Sequence, residues 1–204
     1  MHPNPAFRHD DKSLLSALIN EIGFGMVFAT TPDGPRVAHT PLQWTGAKNT
    51  GGALHFHLAR GNALTPHLDG MTALAMVNGP ESYVSPRWYA DQAQVPTWNY
   101  LAVEVEGPVR RLDDDGLIGL LEALIARQEA EITAGEPWSM AKIPEAKLRG
   151  LLTGIVGFAM EVQDWRPTFK LSQNKSAQER ALVAAGLEAQ GAGAIAELMR
   201  VLAP

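Results

Sequence analysis

The stretch from Thr97 to Leu112 alternates apolar and polar residues with a period of two. Val103 and Val105 point one way, Glu104 and Glu106 the other. A helix cannot sustain that period, so a long half-buried strand is expected there. Ala53–Ala59 alternates as strictly, with Leu54, Phe56 and Leu58 on one face and His55 and His57 on the other. Around these two strands the chain offers further short ones. Met26–Thr31 and Pro35–Trp44 flank the turn Thr31-Pro32-Asp33-Gly34, where Pro presets φ and Gly accepts φ > 0, so a hairpin opens the sheet. Thr72–Val77 and Ile155–Val162 read as strands, the second as the last in the chain. Thr45–Gly52 reads as a polar, Gly-rich loop and Gly61–Leu68 as a short connection. Glu81–Pro96 and Trp165–Asn174 show no clear period and are expected to be irregular.

Helical periodicity is confined to five places. Leu14, Leu15, Leu18, Ile19 and Ile22 give Lys12–Ile22 one buried face, and Gly23 ends it. The triplet Asp113-Asp114-Asp115 puts carboxylates at a helix start, where the dipole favours them. Leu117, Leu120, Leu121, Leu124 and Ile125 form that helix's apolar stripe. A helix near Pro144–Leu152 precedes the strand at Ile155, and two Ala-rich segments, near Ala177–Gln190 and Ala194–Leu202, close the chain. A strand-rich first half, helical insertions and a helical tail make the fold class α+β, with an antiparallel sheet or barrel.

Composition narrows the function. The 204 residues carry a net charge of −5, so the summed field does not favour a polyanion, and direct nucleic-acid binding is not expected. The absence of cysteine removes disulfides, thiolate metal sites and a thiol nucleophile. No run of apolar residues is long enough to span a bilayer, and Met1–Pro5 has no secretory leader pattern. The expected location is the cytoplasm. Neither G-x-S-x-G, G-x-G-x-x-G nor a Walker A motif occurs. His55 and His57 share a strand face, but no third ligand is apparent, so no metal site is expected. The tail helices offer only Arg200 where a recognition helix would need several base-reading side chains, and are expected to pack on the body or on a second subunit.

Polar and flat side chains gather outside the strand cores, in His57-Leu58-Ala59-Arg60-Gly61-Asn62, in Val95-Pro96-Thr97-Trp98-Asn99-Tyr100 and in Lys170-Leu171-Ser172-Gln173-Asn174. A phosphorylated planar ligand needs cationic donors, amides and hydroxyls, and flat surfaces, and all three are present.

These segments, with Phe24-Gly25, His39-Thr40-Pro41, the run Gly79–Tyr89, Glu136-Pro137-Trp138-Ser139 and Ile155-Val156-Gly157, resemble the PaiB-type FMN-binding negative transcriptional regulator family. The similarity runs in order through nearly the whole chain. It implies an antiparallel split β-barrel, flavin-reductase-like or pyridoxamine-phosphate-oxidase-like, with FMN held at a homodimer interface. The barrel domain would span 1–175 with a helical insertion near 113–152, and 176–204 would form the helical tail. By this resemblance Arg60 contacts the phosphate and Asn62 supports the phosphate or ribityl chain. His39, Thr40 and His57 line the groove, Trp98 and Asn99 close it, and Lys170, Ser172, Gln173 and Asn174 form a lid. Gly61-Asn62-Ala63 departs from the Ala-Asn-Pro expected of the family. Two roles stay open, a flavin-binding regulator and an FMN-dependent oxidoreductase using NAD(P)H on a small molecule. A haem-binding split barrel is a weaker third, resting on the histidine pair near residue 55.

Overall fold

A computed structural model describes residues 2–46 and 52–203. Of the expected loop over 45–52, residues 47–51 lie outside the described residues. Among the described residues the strands are β1 (Phe24–Thr31), β2 (Gly34–Thr45), β3 (Ala53–Ala59), β4 (Thr72–Val84), β5 (Thr97–Arg111), β6 (Ile155–Glu161) and β7 (Asp164–Lys170). The helices are α1 (Lys12–Ile22), α2 (Asp114–Ala130), α3 (Glu145–Leu152), α4 (Ala177–Ala189) and α5 (Gly193–Leu202). The strands are hydrogen-bonded in the order β4-β1-β2-β3-β6-β5-β7, and β4 also pairs with β5, so the order closes on itself.

Two sequence expectations are corrected. Trp165–Asn174 is not irregular: most of it is β7, so β6 is not the last strand. β7 is short, carries Pro167 and ends the strand order, the edge position where a missing N–H costs least. The irregular stretch also begins later than expected, because β4 continues to Val84 through Asn78-Gly79-Pro80, residues that ordinarily signal a turn.

The chain forms two compact units. The larger comprises Lys12–Val77 and Glu104–Trp165; the smaller comprises Met1–Asp11, Asn78–Val103 and Arg166–Pro204. In the larger unit, one sheet face buries Val27, Leu42, Leu54, Phe56, Phe158 and Met160. Phe56 and Phe158 face each other across the β3–β6 ladder with ring centroids 5.6 Å apart. The opposite face of β3 and β6 carries His55, His57, Gly157 and Ala159. Those small β6 residues admit α2, whose Leu120 and Leu124 pack on Ala159 and Leu112. A Cβ at Gly157 would stand 3.1 to 3.3 Å from Leu112 and Leu117. Asp113 caps α2 by accepting a hydrogen bond from Gly116 N at 2.8 Å.

In the smaller unit, the start of β5 and the end of β7 bury Leu101, Val103 and Phe169 together with Val183 and Leu187 of α4 and Ile195 and Met199 of α5. Gly186 is required at the seat of α4, since a Cβ there would come within 2.4 Å of the Trp88 ring.

Candidate functional site

Strand parity sorts the sequence-predicted residues before any contact is considered. In β2, Ala38, Thr40 and Leu42 alternate inward, so Thr40 is buried while His39 is exposed. Thr40 Oγ1 donates to the His57 carbonyl at 2.6 Å, pinning β2 to β3. His57 itself points to the opposite face, beneath α2, and lines a cavity of about 400 Å³. Phe24, Pro41, Leu121, Arg127 and Trp138 also line it. Burial lowers the His57 pKa, so the ring is neutral at pH 7. Its Nδ1 is buried and has no hydrogen-bond partner among the described residues.

Arg127 is a residue that sequence reasoning missed, although a signal for it exists: with Leu120 and Leu124 it falls on the buried stripe of α2, where a cation is out of place. Its Nη1 donates to Gln43 Oε1 at 3.0 Å and Asn20 Oδ1 at 3.4 Å, and its Nη2 to the Leu42 carbonyl at 3.3 Å. Gly23, at φ +66°, makes room for it, since a Cβ would stand 2.8 Å from Nη2. Burial lowers the pKa of this guanidinium too, although it stays charged.

Just beyond β3, Arg60 opens on a second cavity of the same unit, about 470 Å³, which Arg111, Arg149, Asp114 and Thr153 also line. Arg60 Nε donates to the Thr153 carbonyl at 2.6 Å and Nη2 to the Ile155 carbonyl at 3.4 Å. These bonds orient the guanidinium, and its other N–H groups carry no hydrogen bond among the described residues. Arg149 pairs with Glu145 one turn away on the exposed face of α3. Arg111 and Arg149 are the residues that sequence reasoning missed here, because they reach the cavity from elements distant in sequence. Asn62 shapes the turn after β3: its Oδ1 accepts from Leu64 N at 2.9 Å.

The smaller unit brings Trp98, Asn99, Lys170, Ser172 and Gln173 together. Asn99 is fully buried, and its Nδ2 donates to Ser172 Oγ at 2.9 Å, while that hydroxyl stands 3.2 Å from Asn99 Oδ1. Ser172 adopts φ +64°, an uncommon conformation for a residue with a Cβ. Lys170 Nζ donates to the Trp98 carbonyl at 2.8 Å and to Thr97 Oγ1, and burial lowers its pKa. Gln173 Oε1 accepts from Leu171 N at 2.8 Å, and its amide donates to the Phe169 carbonyl. Trp98 is 53% exposed and meets Tyr83 edge-on. Asn174 is exposed. The polar atoms of Asn99, Ser172 and Gln173 are thus engaged within the chain, which holds the 171–174 segment against the start of β5.

Comparisons with known proteins agree with this architecture. The chain is 33% identical over 159 residues to Protease synthase and sporulation protein PAI 2 of Bacillus subtilis, covering 78% of this chain and 75% of that protein. It is 30% identical over 173 residues to an uncharacterized protein of Aspergillus fumigatus, covering 75% of this chain and 66% of the other. Among solved structures, the FAD and heme binding protein from Mycobacterium smegmatis superposes with a TM-score of 0.59 at 19% identity, covering 86% of this chain and 78% of that one. The flavocytochrome Anf3 from Azotobacter vinelandii superposes with a TM-score of 0.55 at 13% identity, covering 85% and 74%. At such identities the structural likeness shows the fold, the antiparallel split barrel expected from the sequence. Sequence carries the relationship further: a family model matches residues 1–164, and by that match and the identity to the Bacillus protein the chain belongs to the family described as "Putative FMN-binding domain".

Proposed function

We propose that this chain binds FMN with its phosphate in the Arg60 cavity, and that it works as a homodimer with a regulatory role. The observation that carries the phosphate assignment is the convergence of Arg60, Arg111 and Arg149 on one cavity whose lining includes a single carboxylate, Asp114. Three guanidinium groups there suit a phosphate dianion, and Arg60 is already oriented by two carbonyls. The residue types fit the rest of the cofactor as well. His57 lies three residues back along β3, about 10 Å at the rise of a strand, a span a ribityl chain can cover. When bound, FMN supplies one- or two-electron transfer, and the protein supplies binding and electrostatics.

The regulatory reading draws support from the Bacillus relative, whose name speaks of protease synthesis and sporulation. Net charge of −5 argues that such a role runs through a partner or through metabolism rather than through direct contact with DNA. Salt-sensitive, sequence-specific retention of DNA by the purified protein would sink that part. The oxidoreductase reading is favoured by one observation, the neutral imidazole of His57 beside a cavity, positioned to exchange a proton with a small molecule.

The test is an absorption spectrum of purified protein followed by FMN titration with fluorescence quenching. Near-stoichiometric flavin or tight uptake supports the reading; a protein that ignores FMN overturns it. Arg60→Ala is expected to weaken FMN binding by about 1.5–3 kcal/mol through loss of a charge-assisted contact. Unchanged affinity moves the phosphate elsewhere. Light scattering at micromolar concentration is expected to give a dimer mass.

A further inference from the structure

At the margin of the Arg60 cavity stands a carboxylate with no part in the cofactor reading. Arg149 lines that cavity with Arg60 and Arg111, and it also pairs with Glu145, one turn back along α3. Glu145 itself is outside the lining. One guanidinium therefore stands between two negative partners, a carboxylate on its own helix and the phosphate that the cavity suits. The Nη2 that donates to Glu145 Oε1 is one of the two terminal nitrogens that an end-on bidentate contact with a phosphate needs. The two partners compete for it.

Exposure and charge decide how that competition runs. Both side chains of the pair are 76% exposed, and exposed ion pairs one helical turn apart are weak, so Glu145 gives up Arg149 at small cost. Without an anion, the three guanidinium groups repel one another around a lining with one carboxylate, Asp114, and Glu145 offsets part of that repulsion. A phosphate dianion meets all three cations at once and displaces a lone carboxylate. The helix is suited to the exchange. None of the residues of α3 is buried, and Glu145 lies in its first turn. Its far end is fastened through Arg60: the backbone N donates to the Gly154 carbonyl at 2.8 Å, and the guanidinium donates to the carbonyls of Thr153 and Ile155. The residue given to the phosphate thus also anchors the helix that carries the pair. A purely structural Glu145, favoured by the dipole at the start of α3, would have the opposite consequence. Neutralising it would loosen α3 and the carbonyls that orient Arg60, and phosphate binding would weaken.

We infer that Glu145 regulates the phosphate site: Arg149 exchanges between Glu145 and the phosphate, and Glu145 sets FMN affinity by competing for that guanidinium. The inference rests on the placement of the FMN phosphate at Arg60.

Fluorescence titration with FMN tests it, with riboflavin as the form that lacks the phosphate, on the purified protein, Glu145→Gln, Arg149→Gln and the double variant. Both side chains are exposed, so the variants should keep the fold, which circular dichroism and melting temperature verify. Glu145→Gln is expected to bind FMN about threefold tighter, the gain from removing a weak competing pair, and to leave riboflavin binding as it is in the unaltered chain. Arg149→Gln should weaken FMN binding severalfold, and in that background Glu145→Gln should change nothing further, because the guanidinium both partners sought is gone. Weaker or unchanged FMN binding in Glu145→Gln, an equal gain for riboflavin, or a gain that survives in the double variant overturns the inference. Arg60→Ala separates that failure from a failure of the cofactor reading. If Arg60→Ala weakens FMN binding while Glu145→Gln gives any of those three results, the inference alone falls. A chain that ignores FMN, or binds it undiminished by Arg60→Ala, overturns the phosphate assignment and the inference with it.

Discussion

Asn99 carries more structural weight than its position near a strand start suggests. Its amide faces inward with no solvent exposure and meets the hydroxyl of Ser172 and the thioether of Met199 at 3.3 Å. Asn99→Ala is expected to cost about 1–3 kcal/mol, because the Ser172 hydroxyl loses one of its two buried side-chain partners, keeping Tyr89, and a small void opens. A fall in melting temperature with secondary structure retained checks this; an unchanged melting temperature would show that water or a neighbour takes over the bonds. Asn99's burial was legible in the sequence, since it shares the parity of Leu101, Val103 and Val105 along β5. Arg127 was legible in the same way, as a cation on an apolar stripe. The link from Thr40 to the His57 carbonyl was not, because it depends on how β2 and β3 are brought side by side, which no local pattern records. The arginines around Arg60 were hidden for the same reason: Arg111 ends β5, Arg149 lies in α3, and only the fold brings them to one cavity.

At the scale of elements, periodicity marked β3 and α1 to their ends, and it placed α2 behind its aspartate cap. It failed at β7, where seven residues with a proline and three charged side chains show no usable alternation. Contacts that need a missing side chain are equally silent in a sequence. Gly107 shows this within β5: a Cβ there would lie 1.8 Å from the Glu161 carbonyl oxygen, where β6 ends and the chain turns, and Gln163 N donates to the Glu106 carbonyl at 2.9 Å alongside. Backbone cannot yield as a flexible side chain can, so Gly107→Ala must push the end of β6 away from β5. The expected cost is about 1–3 kcal/mol or more, read as a lower denaturant midpoint. Gly119→Ala, in α2 with nothing within 4 Å of the methyl it would gain, serves as the control and should be neutral or stabilising.

For the molecule as a whole, proton linkage sets how stability varies with pH. His55 and His57 both have pKa values lowered from 6.5, His55 by burial and then by Arg110, His57 by burial. The charged groups facing them are Arg110 and Glu161 in the cleft beside His55, and Arg127 and Glu129 in the cavity beside His57. Because the folded pKa values lie below the unfolded ones, the unfolded chain binds more protons than the native protein as pH falls below 6.5. Their contribution to stability is therefore fully present above pH 6.5 and is lost as pH falls toward the lowered folded values. Denaturant titrations from pH 8 down to about 5 should show a midpoint that holds and then declines once the pH passes below the ordinary histidine range. The double variant His55→Gln, His57→Gln should decline less over that interval. An equal decline in the double variant would assign the pH dependence to other groups and remove the basis for treating the His57 ring as neutral at pH 7.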